Sequence, residues 1–346
     1  MRISQIMLAK GFGGAERSFV DTALALAARG HAIQVICHKN FSKIASLENR
    51  AGIELSTVNP GGEWDFIAPR KIAALLRSFN SAIVHTQLKR AAWHGSRAAK
   101  IAGIPVVAKL HNYVDLKKYR HMHTLFCTTE DQRQHVLKSS WSPERVEVIP
   151  NFSRIHPVET KRDKLQKPIR ILSYGRYVKK KGFDVLLRAF RKLLDSGVHA
   201  RLILGGQGEE FRNLESLVKE LKLQESVELG VWLDDVAAAL DKADLFVLPS
   251  LDEPFGIVIL EAMARGVPII STRTKGPVEI LSETTANLIE IGSVDALFAA
   301  MEVCIRNSDQ TFDRAEKALE RYRKRYFEAA VLPKIEQVYE RLISAS

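Results

Sequence analysis

The sequence predicts an α/β protein made of two doubly wound, Rossmann-like domains. Short β-type runs alternate with helical patterns from one end to the other, and one polar segment with two prolines, residues 151–168, interrupts the alternation. The chain has 346 residues, of which 46% are apolar, enough for about two domains at roughly 100–200 residues each. Alternating strands and helices form parallel sheets covered on both faces. We therefore expect two such sheets facing each other across a cleft.

Seven strands are predicted in the first half, with helical patterns between them. The clearest helix is 15–28, where Phe19, Ala23 and Leu26 recur at helical spacing and Gly30 follows the end. In chain order the strands are 2–8, 32–37, 53–58, 82–85, 105–110, 124–128 and 145–149.

The second half repeats the alternation after the linker. Six strands are predicted, at 169–174, 200–204, 226–229, 244–248, 267–271 and 286–289. Helices are predicted at 183–195, 209–222, 256–265, about 294–305, 310–326 and 328–344, with a further short helix before the strand at 244. Ligands of such sheets bind beyond the carboxyl ends of the strands, so the strand-to-helix loops should carry the chemistry.

Composition and charge narrow the class of protein. No run approaches the ~18–20 apolar residues of a membrane-spanning helix, and the first residues are too quickly broken by glycine to form a signal peptide. Three widely spaced cysteines form neither a disulfide framework nor a zinc site, so a reducing cytoplasm is expected. Residues 1–160 hold 22 Lys/Arg and 12 Asp/Glu, a net of +10, whereas residues 161–346 hold 29 and 28. The basic half should face something anionic: a nucleic acid, a lipid or a phosphorylated substrate.

The first candidate loop is "KGFGGAERS", residues 10–18, which follows a strand and precedes a helix. Gly13 and Gly14 would let backbone N–H groups approach an anion at the helix N-terminus, or they serve only a tight turn. The loop is not the dinucleotide fingerprint, because Glu16 stands where that motif needs glycine.

A second loop, "YGRYVKKKG", brings Arg176 and Lys181 to one point from its two sides. A guanidinium and an ammonium so placed suit a diphosphate, whereas Lys179 and Lys180 are read as a solvated basic turn. The glycines of "ILGGQGEE", residues 203–210, lack the Lys-Ser/Thr of a P-loop.

The loop "PSLDEPFG" leads into the apolar helix "IVILEAMA" and carries two carboxylates. Backbone N–H groups of Phe255, Gly256 and Ile257 would meet a ligand at the positive end of the helix, beside Glu253. Glu261 needs a polar partner within the apolar run: either a ligand or Arg265, four residues on.

In this order the motifs resemble the retaining GT-B glycosyltransferases of family 4, and in particular bacterial lipopolysaccharide-core enzymes. The matching pieces are "GGAERS", "GR" with "KKG", the E-x7-E pair in "EPFGIVILE", and "MARGVPIIST" after it. The resemblance implies an acceptor-binding domain at 1–160, a nucleotide-sugar-binding domain at 161–326, and a helix at 327–346 that packs back on the first domain.

The resemblance also implies roles for individual residues. Arg176 and Lys181 would hold the donor diphosphate, Glu253 would accept hydrogen bonds from the transferred sugar, and Glu261 would bind the ribose hydroxyls. The N–H groups of Phe255, Gly256 and Ile257 would help seat sugar and phosphate.

Three further sites follow from the same resemblance. The backbone near Val231 and Trp232 would seat the base, and Gly14 would approach the diphosphate from the opposite domain. His111 falls where the family carries a histidine close to the transferred sugar, although a lone histidine is more often structural.

The implied reaction is hexosyl transfer from a nucleotide-diphosphate sugar, most simply a UDP-sugar, to a hydroxyl of a lipid-linked or lipopolysaccharide-type glycan. No DxD-type motif occurs at a suitable loop, and Arg with Lys can replace a metal ion, so no metal or other cofactor is expected. The family inference is retention of anomeric configuration by same-face attack without an enzyme nucleophile.

Three segments of the basic half are candidate contacts with an anionic membrane or a glycolipid: 69–77, 88–100 and 113–123. Each mixes Lys/Arg with apolar or aromatic residues, which suits anionic lipid as well as an ordinary solvated face. We therefore expect a cytoplasmic enzyme, peripheral on the inner membrane.

Other functions remain open from the residues alone. A small soluble acceptor and a nucleotide-sugar epimerase fit the same architecture. A non-enzymatic protein that binds an anionic polymer fits the +10 half, although no nucleic-acid-binding module is recognisable and no nucleic-acid partner is expected.

Overall fold

The computed structural model describes residues 1–11, 13–62, 65–160 and 162–345, so the expected domain limits at 161 and 346 fall outside it. The chain forms two compact units. The first unit comprises Met1–Arg154 together with Glu328–Ser346, and the second unit comprises Ile155–Phe327.

Within the described residues the first unit contains seven parallel strands, all of which the sequence predicts. They are β1 (Arg2–Met7), β2 (Ala32–His38), β3 (Ile53–Val58), β4 (Ile83–Gln87), β5 (Val106–Lys109), β6 (Thr124–Cys127) and β7 (Val146–Val148). Its helices are α1 (Gly14–Ala28), α2 (Ile67–Ser78), α3 (Lys89–Ala102) and α4 (Glu130–Leu137). The strand order is β3-β2-β1-β4-β5-β6-β7.

Both faces of this sheet are buried, as expected for parallel strands. Alternate residues of β1 show the division: Ile3 and Met7 belong to one apolar cluster with Phe19 of α1, whereas Ile6 belongs to the other with Ile72 of α2. The period of two along the strand therefore supplies two cores, one on each side of the sheet.

In the part of the second unit that the structure describes there are six parallel strands, which again match the predicted set. They are β8 (Ile169–Tyr174), β9 (Ala200–Gly205), β10 (Val227–Val231), β11 (Leu245–Leu248), β12 (Ile269–Thr272) and β13 (Asn287–Ile289). Its helices are α5 (Phe183–Asp195), α6 (Phe211–Glu220), α7 (Val236–Lys242), α8 (Ile257–Ala264), α9 (Lys275–Ile280), α10 (Val294–Arg306) and α11 (Ser308–Arg325).

The strand order of the second sheet is β10-β9-β8-β11-β12-β13. The chain runs outward from β8 to β10 and then returns to the other side of β8 at β11. The crevice beyond the carboxyl ends of β8 and β11 is therefore the topological switch point, where ligands of doubly wound sheets bind.

The last helix, α12 (Glu328–Ser344), completes the first unit. Its Val331, Leu332, Ile335 and Tyr339 are buried in the same cluster as Phe19. Arg29 donates two hydrogen bonds to Glu336 of α12, from Nε at 2.7 Å and from Nη2 at 2.8 Å.

One helix differs from the sequence expectation: α9 lies where a plain connection between two strands is predicted. Its sequence, KGPVEI, begins at Lys275 and has Gly276 and Pro277 within the first turn. Proline is tolerated there because the first N–H groups of a helix need no partner inside it. The same letters read as a turn in the sequence, which is why the helix is missed.

Among the described residues, no helix combines the length and the apolar character needed to cross a membrane.

Candidate functional site

Lys181 and Glu253 form an ion pair at the switch point of the second unit. Lys181 follows β8 and Glu253 follows β11, two strands that lie side by side. The Lys181 Nζ donates to Glu253 Oε2, and the two side chains are 16% and 12% exposed. The structure thus pairs two residues with different expected partners: the donor diphosphate for Lys181 and the transferred sugar for Glu253.

A glycine holds the two loops together beneath this pair. Gly182 has a φ of +64°, and a Cβ atom there would lie 2.2 Å from the carbonyl oxygen of Pro249. The Leu251 N–H donates to the Lys180 carbonyl at 2.7 Å across the same contact. Only glycine can occupy this position, and the close contact between the two loops fixes the position of the neighbouring residue, Lys181.

The glycine-rich loop after β9 packs on the loop after β8. A Cβ atom at Gly206, whose φ is +121°, would lie 2.0 Å from the Gly175 carbonyl oxygen. The Tyr177 N–H donates to the Gln207 carbonyl at 2.8 Å. The glycines of this loop therefore allow close contact between two backbones, whether or not they also contact a ligand.

The loop before α8 is held from the other side by α9. The Gly276 N–H donates to the Glu253 carbonyl at 2.9 Å, and a Cβ atom at Gly276 would lie within 2.4 Å of the Phe255 backbone. Gly256 caps α8 with a φ of +97° and is followed by Ile257, the first helical residue. The N-terminal turn of α8 therefore lies next to Glu253, and the positive end of a helix favours an anion.

Glu261 is fully buried on α8 and accepts a hydrogen bond from the Tyr174 hydroxyl at 2.5 Å. Arg265 is not its partner: the Arg265 guanidinium makes two 2.7 Å hydrogen bonds to Asp241 instead. The sequence interpretation misses Tyr174, whose position at the end of β8 was its only signal.

The remaining predicted residues of the second unit lie around the same strand ends. Arg176 is exposed in the loop after β8. The Val231 carbonyl accepts from the Gly206 N–H at 2.9 Å, which ties the end of β10 to the glycine-rich loop. Trp232 follows and is 58% exposed.

Three predicted residues lie in the first unit. Gly13 precedes α1 in an extended conformation, with φ −159°, and Gly14 is the first residue of the helix. His111 follows β5 and is half-buried, with Nε2 at 2.8 Å from Gln87 Oε1. Burial, followed by the charges of Lys109 and His85, holds the pKa of His111 well below its usual value. Its imidazole is therefore neutral at pH 7.

Beneath His111 lies a buried polar group that the sequence interpretation misses. Lys109 is fully buried, and its Nζ donates to the Pro150 carbonyl at 3.1 Å. Burial lowers the pKa of Lys109 to about 7. His85 Nδ1 lies 2.6 Å from the Tyr339 hydroxyl, and burial lowers the pKa of His85 to about 3. The signal was a Lys and a His at strand positions that otherwise carry apolar residues.

The arrangement in the second unit suits a ligand with an anionic group and several hydroxyls. Lys181, Arg176 and the first turn of α8 supply positive charge, while Glu253 and Glu261 supply carboxylate acceptors. Within the part of the chain that the structure describes, no three His, Cys, Asp or Glu side chains are grouped to hold a metal ion.

Two family descriptions match the chain. Residues 12–153 match the family described as Glycosyltransferase Family 4, and residues 157–325 match Glycosyl transferases group 1. Together they cover both units almost completely.

Curated relatives and solved structures agree with this match. The lipopolysaccharide core biosynthesis glycosyltransferase LpsE of Rhizobium meliloti is 30% identical over 89% of this chain and 90% of its own. LpsD of the same organism, with the same description, is 32% identical over 84% of each chain. Crystal structures of HepE from Anabaena with UDP and with UDP-glucose share the fold at a TM-score of 0.83, at 19% and 20% identity, over 99% of this chain and 100% of that one.

Proposed function

Since this chain belongs to glycosyltransferase family 4 and is a GT-B glycosyltransferase, we propose that it moves a hexosyl group from a UDP-sugar to a hydroxyl of a lipid-linked, lipopolysaccharide-type glycan. Family membership excludes the non-enzymatic alternative. The names of LpsE and LpsD support the acceptor class, and the UDP-glucose complex of HepE supports the donor.

The observation that carries the proposal is the Lys181–Glu253 pair beside the first turn of α8. In the proposed donor complex the ammonium group of Lys181 donates to the diphosphate, and a hydroxyl of the sugar donates to the carboxylate of Glu253. The ion pair keeps both groups at the switch point before the donor arrives, so less side-chain ordering is left for binding. Arg176 reaches the same diphosphate from the exposed side, and Glu261 accepts from the ribose.

The chemistry needs stabilisation of a departing nucleoside diphosphate. As the bond between the anomeric carbon and the diphosphate oxygen breaks, negative charge grows on that oxygen, where Lys181 and Arg176 lie. The acceptor hydroxyl forms the new bond to the anomeric carbon on the same face, and its proton passes to the departing phosphate oxygen. We propose that no metal ion and no enzyme nucleophile take part, and that configuration is retained.

Four variants test the site. Lys181→Ala and Glu253→Ala are expected to lower acceptor-dependent UDP release at least 100-fold, because each removes a group that contacts the donor. Lys242→Ala and Glu225→Ala, elsewhere in the same unit, serve as controls. Unchanged transfer in both site variants would overturn the assignment.

A thermal-shift panel of UDP, GDP, ADP and CMP tests the donor base. Of the four nucleotides, only UDP should raise the melting temperature markedly, and it should do so both with and without EDTA. Stabilisation by GDP instead of UDP would move the proposal to another donor, and a requirement for metal would contradict metal-independent binding.

The three basic segments support action at an anionic membrane, because the fold brings them side by side. In the first unit α2 packs on α3, and α3 packs on the short helical segment Leu116–Tyr119. Neither α2 nor α3 contains an acidic residue, although the two helices together carry seven Lys and Arg. Phe66 and Ile67, at the start of α2, are 60% and 64% exposed.

Flotation with vesicles tests the membrane step. We expect the protein to float with phosphatidylglycerol vesicles at low salt and to stay behind with phosphatidylcholine vesicles, at about 1 kcal/mol per basic residue near the surface. If the protein floats with neither kind of vesicle, the membrane step is removed from the proposal and the soluble-acceptor alternative is left.

A further inference from the structure

A cavity of about 730 Å³ lies in the first unit, between the segment that follows β5 and the end of α4. Its lining includes two aromatic residues, Tyr113 and Trp141, and three residues that can carry positive charge, Lys117, Arg120 and His135. One side of the cavity belongs to the basic segment 113–123, for which an anionic membrane or a glycolipid is the proposed contact. A volume of this size lies within the range of about 300–1,000 Å³ that small-ligand sites occupy.

The framework of the cavity is held by specific contacts. The Tyr113 ring meets the His135 ring edge to face at 5.2 Å, and the Tyr113 hydroxyl donates to Asp131. Gln132 Nε2 donates to the Asn112 carbonyl at 3.1 Å, which fixes the segment against α4. The site is therefore ordered before any ligand binds.

Among the described residues, Lys117 and Arg120 of the lining are not paired with carboxylates. Neither Lys117 nor Arg120 forms an ion pair within the described residues, and Arg120 Nε donates only to His121 Nε2 at 3.1 Å. The one acidic residue of the lining, Asp115, accepts at 3.0 Å from the backbone N–H of Lys117. An ammonium and a guanidinium are thus left to face an anion from outside the chain.

The position of the cavity connects it to the proposed reaction. Tyr113 lies two residues after His111, a separation of at most about 7 Å along the chain. The family resemblance implies that His111 lies close to the transferred sugar. The segment that lines one side of the cavity therefore begins next to His111.

We propose that this cavity binds an anionic sugar residue of the acceptor glycan, one that carries a carboxylate or a phosphate. Lys117 and Arg120 hold the anion, while Tyr113 and Trp141 present aromatic surface to the apolar face of the ring. The inference rests on the proposed function and specifies that the lipid-linked acceptor glycan carries an acidic sugar residue.

The experiment titrates the whole protein with glucuronate, glucose 6-phosphate and glucose, followed by calorimetry and by the fluorescence change that Trp141→Phe removes. Binding of either anionic sugar at least tenfold tighter than glucose is expected, and the better of the two identifies the source of the charge. The double variant Lys117→Gln/Arg120→Gln should lose this preference. The double variant Lys39→Gln/Arg50→Gln removes the same charge from exposed positions elsewhere in the first unit and should keep the preference.

Three results would overturn the proposal: equal binding of glucose, no binding of any sugar, or a preference that survives the loss of Lys117 and Arg120. A Trp141 signal that responds only to anionic vesicles would overturn it as well and assign the surface to lipid. A UDP thermal shift on the same samples separates the two levels. If UDP stabilises the protein and the sugars fail, the cavity assignment alone is wrong; if UDP fails, the donor proposal is wrong.

Discussion

The side chains of Lys181 and Glu253 neutralise each other in the absence of a donor. Neither charge is left partly buried and unpaired, a state that costs several kcal/mol. A donor that replaces this contact supplies an anion to the lysine and hydroxyl donors to the carboxylate. In the proposed donor site we therefore expect the pair to select the ligand as well, because a ligand with only one of these groups leaves the other side chain without a partner.

Glu261→Gln should separate a binding role from a structural one. The amide oxygen can still accept the Tyr174 hydroxyl, so the free energy of unfolding should change by less than about 1 kcal/mol. The amide no longer offers two acceptor oxygens to ribose hydroxyls, so UDP affinity should fall about tenfold. Calorimetric titration with UDP measures the effect. Asp241→Asn breaks the Arg265 pair in the same unit and should leave UDP affinity unchanged; unaltered UDP affinity in Glu261→Gln would make Glu261 a structural residue.

Lys109→Met should stabilise the protein in a pH-dependent way. Burial lowers the pKa of Lys109 to about 7, whereas the unfolded chain keeps the ordinary value of about 10.4. Between these values the unfolded state binds a proton that the folded state does not, so wild-type stability rises with pH across that window. The advantage of the variant is therefore largest at or below pH 7 and should be about 3 kcal/mol smaller at pH 9.5 than at pH 6.5.

Urea unfolding of both proteins at pH 6.5 and pH 9.5 measures this difference. His85 and His111, the titratable neighbours of Lys109, are neutral throughout because the pKa of each is lowered by burial. A gain that is equal at both pH values would contradict the low pKa of Lys109.

Partners that lie far apart in the chain limited the prediction of the site. Arg176, Lys181, Glu253 and Glu261 could be chosen because each belongs to a short motif with its own chemistry. Tyr174 could not, because strand alternation gives its direction but not a contact with a residue 87 positions away. The ion pair between Lys181 and Glu253 was hidden for the same reason.

At the scale of elements, the site depends on close backbone approach between loops from neighbouring strands. Gly182, Gly206 and Gly276 each lie where a Cβ atom would overlap the backbone of another loop. Parallel strands deliver these loops to one edge of the sheet, and the glycines let them touch. The loops therefore form one connected layer that supports the side chains of the proposed donor site.

Gly182→Ala should disrupt this layer, whereas Gly197→Ala should not. Both glycines flank α5 with positive φ, +64° and +86°, but only Gly182 faces an obstacle, the Pro249 carbonyl oxygen. Gly197→Ala should cost about 1 kcal/mol for its backbone conformation alone and retain transfer. Gly182→Ala should cost about 3 kcal/mol or more and lose UDP binding. Thermal unfolding with and without UDP compares them, and equal losses would show that the loop contact has no energetic weight.

The elements themselves were largely predictable. The thirteen strands found among the described residues all follow from β-rich runs separated by helical periodicity, since a buried parallel strand is short and continuously apolar. The exception, α9, shows the limit. Its Gly276 and Pro277 signal a turn locally, and contact with the Phe255 backbone, outside the reach of a local pattern, accompanies the helix.

At the scale of the whole molecule, the chain passes between its units twice, at 154–155 and at 327–328. The second unit is therefore continuous in sequence, whereas the first is assembled from two separate pieces. The apolar cluster around Phe19 depends on both pieces, because α12 supplies Val331, Leu332, Ile335 and Tyr339.

Separate expression of the pieces should show this asymmetry. A fragment of residues 155–327 is expected to unfold cooperatively and to be stabilised by UDP, because its core and the proposed donor groups are all within it. A fragment of residues 1–154 should lack a cooperative transition, and addition of a peptide of residues 328–345 should restore one. Circular dichroism during heating measures both. A cooperative transition in fragment 1–154 alone would show that α12 is dispensable.

The place of α12 in the chain also has a consequence in time. A ribosome makes the sheet of the first unit first, then all of residues 155–327, and only then α12. At about 5–20 residues per second, roughly 10–35 s pass between the two pieces. During that interval one face of a seven-stranded sheet is left without its last helix, so the newborn chain should depend on chaperones at its first unit rather than at its second.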